Sequence, residues 1–157
     1  MKMAIASTRA GLTLKDELIA FLTGLGHKVD DLGMKVGGEF VPYYESAARV
    51  AAAVSRGEYP RAIVVCGTGA GSAIVANKFK NVYAVHASSE YEGRRATMIN
   101  NANILALGEW VTPPQHAKEI VKGWLDATFG EGFEPDWQGF LAKACEEVKT
   151  IEARNMA

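Results

Sequence analysis

The chain has 157 residues, 48% of them hydrophobic and 22% charged, with a formal net charge of -1 at pH 7. This balance fits one soluble domain spanning residues 1–157 with a full core, and it excludes the basic footprint of a nucleic-acid or anionic-membrane binder. No apolar run approaches a membrane span and no signal-peptide pattern opens the chain, so a cytoplasmic protein with reduced thiols is expected.

The predicted elements alternate along the chain. Lys2–Ala6 reads as a strand running into a turn at Ser7–Gly11. Leu14, Leu18, Leu22 and Leu25 then recur at helical spacing, with Gly26 as the residue that ends the helix. Val29–Leu32 is a weaker strand, and Gly33–Pro42 is the longest loop candidate. Ala47, Val50, Ala51 and Val54 mark a second helix, closed by Gly57 and Pro60. Ala62–Val65 is the continuous apolar run of a strand buried on both faces of a parallel sheet.

Further helices are expected over Ser72–Lys78, Glu90–Asn100 and from Pro113-Pro114 to about Phe129, with strands at Val82–His86 and Ile104–Leu107. A last helix, about 136–154, carries Phe140, Ala144, Val148 and Ile151 on one stripe that either docks on a second subunit or packs on its own sheet. Strict alternation predicts a doubly wound α/β domain with five parallel strands. Ligands of such sheets bind at the carboxyl ends of the strands. Cys66, Ser7–Gly11, His86–Ser89 and Gly108–Glu109 fall at that edge.

The most informative stretch is VCGTGAG, residues 65–71. One of only two cysteines stands at the mouth of a loop with Gly67, Gly69 and Gly71, which permit positive φ and close backbone approach. The N-terminal amides of the next helix would stabilise an anion there and favour thiolate over thiol at Cys66. Thr68 is placed to donate a hydrogen bond. The plain alternative is a structural cysteine above a tight turn. The loop is neither a dinucleotide fingerprint nor a P-loop. Cys145 lies on the last helix and reads as packing; the two cysteines form no CxxC pair. No His, Asp or Glu spacing suggests a metal site.

CGTGAGSAIVANK (66–78), with NNANILALG (100–108) and RAGLTLKDEL (9–18), resembles the ribose-5-phosphate isomerase B family, which includes the galactose-6-phosphate isomerase subunits. The resemblance implies a cofactor-independent aldose–ketose isomerase of sugar phosphates, working through a cis-enediol. It matches Cys66 to the base that moves the proton between C1 and C2, and Gly67, Gly69 and Gly71 to the loop that stabilises the enediolate. Thr68 and Asn100 match residues that contact substrate hydroxyls, and Tyr43 matches a tyrosine of the pocket. Sites of the family form between two subunits, which implies a homodimer or a dimer of dimers.

The departures are specific. The family's Asp-His at the first turn is Thr8-Arg9, and its His-Asn-Asp is Ile99-Asn100-Asn101. The arginine pair that grips phosphate is missing from GEGFEPDWQ, residues 130–138. Three readings follow. The substrate is a tetrose phosphorylated at its terminal oxygen, which cannot close into a furanose and needs no ring opening, with Arg9 holding the phosphate. Alternatively it is a longer sugar whose ring opens by other means, or the chain is a sugar-binding subunit completed by a partner. Arg94 and Arg95 are further candidates for the phosphate. His86 could be an acid or base, or structural; His27 and His116 read as solvent-facing, Asp30-Asp31 as solvated, and Trp110, Trp124 and Trp137 as core or interface.

Overall fold

In the computed structural model, which describes residues 1–156, five strands form one all-parallel sheet in the order β2-β1-β3-β5-β4. The strands are β1 (Lys2–Ser7), β2 (Lys28–Asp31), β3 (Arg61–Cys66), β4 (Ala84–His86) and β5 (Ile104–Gly108). The helices are α1 (Leu12–Gly24), α2 (Tyr43–Ser55), α3 (Ala70–Ala76), α4 (Glu90–Asn100), α5 (Pro114–Asp126) and α6 (Pro135–Asn155), with a 3-10 turn at Arg9–Gly11 before α1.

The three central strands are apolar on both faces because helices cover both. Side chains alternate across a strand, so Met3 and Ile5 of β1 join Ile63, Leu105 and the buried faces of α1 and α5 in one core. Ala4 and Ala6 face the other way, into a core with Val64, Ala106 and the small residues of α2. Trp124 of α5, fully buried, donates from its indole N–H to the Ala102 carbonyl at 3.1 Å. A large ring pays no polar penalty there because its single donor is satisfied.

Expected boundaries hold to within a few residues, and the misses have local causes. Helix α4 starts and ends as expected, because Ser89 and Glu92 close a capping box at one end and Asn101 takes a left-handed conformation at the other. Gly26 (φ 84°) follows α1 as the expected left-handed terminator. Helix α5 stops at Asp126, three residues early, because Ala127 turns to extended backbone. The β4 strand shrinks to three residues at the sheet edge. Helix α6 leaves Trp137, Phe140, Val148 and Ile151 about half exposed; of its residues only Leu141 is buried.

Among the described residues, no helix is long and apolar enough to cross a membrane.

Candidate active site

The position of Cys66 follows from the sheet. Strand β3 lies between β1 and β5 with Ala62–Val65 buried, and its last residue emerges at the carboxyl edge, opposite Gly108 in register. The chain then turns through Gly67-Thr68-Gly69 into α3. The Gly69 amide donates back to Cys66 Sγ at 3.1 Å.

The three glycines serve different needs. Only Gly69 has positive φ (85°), and a Cβ there would also lie 2.5 Å from the His86 ring. Gly67 lies directly under Trp110, whose ring atoms a Cβ would meet at 2.6 Å. Gly71 does the same for the ring of Tyr43, at 2.8 Å. The expected positive φ at Gly67 and Gly71 is therefore corrected: those two are small to let aromatic rings touch the loop. Backbone bonds zip the segment after β5 onto it, from Glu109 N to the Cys66 carbonyl (3.0 Å) and from Trp110 N to the Gly67 carbonyl (2.9 Å).

These elements border an open cavity of about 690 Å³. Cys66, Gly67, Thr68, Gly71, Arg9 and Tyr43, six of the residues singled out from the sequence, all line it. Gly69 lies behind the wall and contributes its N–H. Cys66 is 6% exposed, so its sulfur is reached only through this opening. Arg9, on the 3-10 turn after β1, is the only charged side chain among the described residues that line it. Among the described residues no carboxylate forms an ion pair with Arg9, and its guanidinium lies 5.7 Å from the centroid of the Phe40 ring. Behind it, the Glu109 carboxylate accepts from the Leu14 N–H at 2.8 Å and caps the first turn of α1, which has no cap of its own.

Asn100 stands elsewhere. It closes α4 just before β5, so it lies at the amino edge of the sheet, while Cys66 lies at the carboxyl edge. Within one protomer the two do not meet. Asn100 instead borders a second cavity, also about 690 Å³, between α6 and the β4 edge. That groove holds Cys145, whose thiol burial pushes up, against a smaller opposing pull from Lys149.

Three lining residues were not read from the sequence as part of a site: Phe40, Tyr44 and Trp110. Trp110, expected in a core or interface, is 72% exposed in this chain. Its place directly after Gly108-Glu109, at the carboxyl end of β5, was the available signal. His86 packs on Gly69 and does not line the cavity. Arg94 is paired with Glu131 at 2.7 Å and Arg95 lies over the rings of Tyr91 and Phe133, so neither reaches Cys66.

Asp31 is not solvated as expected. Lys15, 1% exposed, donates to it at 2.6 Å and also to the Met34 carbonyl, while Lys35 pairs with it at 2.7 Å. Burial alone would raise the Asp31 carboxyl; hydrogen bonds from Lys15, Lys35 and the Gly33 N–H outweigh it and hold the group below its ordinary value. This network pins the start of the loop that carries Phe40. Among the described residues, no group of three or more His, Cys, Asp or Glu side chains could hold a metal ion.

Residues 3–153 match the family model described as Ribose/Galactose Isomerase. A 4-deoxy-4-sulfo-D-erythrose isomerase of Clostridium sp. strain MSTE9 is 40% identical over 97% of this chain and 96% of its own. A D-erythrulose-4-phosphate isomerase of Pectobacterium atrosepticum is 38% identical, over 84% of this chain and 87% of its own. The structure of Clostridium thermocellum ribose-5-phosphate isomerase B superposes with a TM-score of 0.88 at 39% identity, covering 98% of this chain and 99% of that one.

Proposed function

The chain belongs to the ribose/galactose isomerase family and is an aldose–ketose isomerase, and from that premise we propose that it acts on a four-carbon sugar bearing an anion at C4, with Cys66 as the base. The observation that carries this reading is the pocket's inventory among the described residues of one protomer: one thiol held by a backbone N–H, one guanidinium without an ion pair, and no carboxylate or imidazole in the lining. An acid and a base for ring opening are what a furanose would require. A tetrose substituted at its terminal position has no hydroxyl left to close that ring, and relatives of this chain are named for such sugars.

In the proposed reaction Cys66 thiolate takes the proton from C2 of the aldose. The C–H electron pair becomes the C1–C2 double bond while the carbonyl oxygen at C1 is protonated, giving the cis-enediol. The thiol then returns its proton to C1 as the C2 hydroxyl loses its own and becomes the ketone. Negative charge on oxygen during both transfers is met by amides of the 67–71 loop and by the Thr68 hydroxyl. Arg9 holds the terminal anion, and Tyr43 closes the wall beside Gly71.

The whole chain works as one catalytic domain, in the cytoplasm, as a homodimer or a dimer of dimers. The half-exposed stripe of α6 and the groove beside it give a second copy a surface to dock on. Asn100, remote from Cys66 in its own protomer, joins a site only across that boundary.

The test is solvent exchange followed by proton NMR. In D2O, the protein should place deuterium at C1 or C2 of a C4-substituted tetrose, and Cys66→Ala should slow this about 1,000-fold while staying folded. Exchange that persists in Cys66→Ala would remove the cysteine from its role. Exchange with pentose phosphates alone would remove the tetrose.

A further inference from the structure

We infer that Glu109 is a positioning residue: the reach of its side chain, not its charge, sets the turn that carries Thr8, Arg9 and Ala10 at a fixed place beside Cys66. The inference rests on the reading above, in which Cys66 is the base and Arg9 holds the terminal anion, and it names the residue that spaces the two.

The pocket is built from two bodies. The first is the end of β5 joined to the loop after β3. Gly108 lies so close to this loop that a Cβ would stand 2.4 Å from the Thr68 carbonyl carbon. Glu109 N–H donates to the Cys66 carbonyl at 3.0 Å, and Trp110 N–H to the Gly67 carbonyl at 2.9 Å. These bonds join Cys66 directly to the backbone of Glu109.

The second body is the turn after β1 with the start of α1. Gly11 N–H donates to the Thr8 carbonyl at 3.1 Å, and Leu12 N–H donates to the Arg9 carbonyl. The 3-10 turn therefore runs into α1 without a break, and Thr8, Arg9 and Ala10 line the cavity.

The ladder between β1 and β3 ends at Ser7 and Val65. Beyond it, Gly11 packs on the Val65 backbone, where a Cβ would lie 2.8 Å from the carbonyl carbon. Such packing limits approach but does not fix direction. Glu109 supplies the directional contact, its Oε2 accepting from Leu14 N–H at 2.8 Å. Gly11, the residue before α1, offers no side chain to its first turn, so this amide depends on a partner 95 positions away. A serine or aspartate at the cap would satisfy it locally and tie nothing to Cys66. Here one residue holds Cys66 through its backbone and α1 through its side chain. All of these contacts lie within one chain, so they stand whatever a second copy adds to the rim.

The experiment reads the spacing without depending on the sugar. Cys66 of the full-length protein is alkylated with iodoacetate, an anion, and with iodoacetamide, its neutral counterpart, and peptide mapping separates Cys66 from Cys145. Both reagents attack through the thiolate. The ratio of the two rates therefore cancels thiolate population and general access, and keeps the pull of nearby charge on the anion. Arg9→Ala should lower the iodoacetate-to-iodoacetamide ratio about fivefold. Glu109→Asp keeps the charge but falls about 1.5 Å short of Leu14. It should lose most of that pull, lowering the ratio about threefold. Glu109→Gln keeps the reach and gives up a negative charge, so its ratio should stay at or above that of the unsubstituted protein. In turnover of erythrose 4-phosphate, Glu109→Asp should raise KM about fivefold and change kcat by less than about twofold, the split expected when uniform binding is lost.

A Glu109→Asp ratio equal to that of the unsubstituted protein overturns the inference. So does a Glu109→Gln ratio that falls as far as that of Glu109→Asp, since the bond kept by glutamine would then not be what holds the turn. An unchanged ratio in Arg9→Ala would fell the assignment of Arg9, and the inference with it. Failure to turn over erythrose 4-phosphate counts against the tetrose reading alone; the alkylation ratios decide the inference without it.

Discussion

Two cavities of this protein have the same volume, about 690 Å³, and each holds one of its two cysteines, yet they differ in almost everything that matters for chemistry. The pocket at the carboxyl edge of the sheet is walled by loop ends. Backbone amides are free to point into it, and Cys66 receives one of them. The groove beside α6 is walled by helix and strand sides, where the backbone amides are spent on the helix ladder and side chains do the contacting. Burial there pushes the Cys145 thiol up and no backbone donor offsets it. Cavity size therefore does not separate the two; a backbone donor beside the thiol does.

The largest way to break this contrast is to disturb the donor. Gly69→Ala adds a Cβ at positive φ, 2.5 Å from the His86 ring, and must shift the amide that meets Cys66 Sγ. A loss of kcat of about 100-fold is expected, the scale of removing one positioned oxyanion donor. Steady-state kinetics beside a thermal melt would check it, and unchanged kcat in a folded variant would disconnect the amide from the chemistry.

A smaller effect separates pocket walls that are anchored from those that are not. Lys15→Ala leaves Asp31 half-buried with only Lys35 and the Gly33 N–H for partners. Breaking the pair should cost about 3 kcal/mol in urea unfolding, and KM should rise more than kcat falls as the loop bearing Phe40 loosens. Because the folded Asp31 carboxyl lies below its ordinary value of 3.8, its contribution is complete where the unfolded group is ionised. It is lost as pH falls below that value. Asp31→Asn should flatten that part of the acid stability curve.

The smallest expected effect sharpens the comparison from the other side. Cys145→Ser should change kcat/KM by less than about twofold, as conservative substitutions away from a reacting centre do. Alkylation followed by peptide mapping should find Cys66 blocked in step with lost activity and Cys145 modified without it. A large activity loss in Cys145→Ser would mean that the groove takes part in turnover.

Much of this was legible in the chain. The alternation of apolar runs with helical stripes specified five parallel strands, because a strand buried on both faces must be apolar throughout and each crossover needs a helix. The glycines after Cys66 marked the loop for the same local reason. What one-dimensional order could not supply was contact between distant segments. Phe40 and Trp110 stand far apart in sequence and meet at the pocket only because β1, β3 and β5 are neighbours in the sheet. Asp31 looked solvated because its partner, Lys15, sits on another element and becomes its buried counter-ion only when α1 packs on the sheet.

Asn100 gives the converse case. Its motif reads as part of the site, but a helix that leads into a strand must end at the amino edge, opposite Cys66. Local pattern thus determined which elements form and where the glycine loop falls, since both depend on neighbours in sequence. Tertiary structure alone decided which charges are paired and which, like Arg9, are left free, because pairing depends on distance in space.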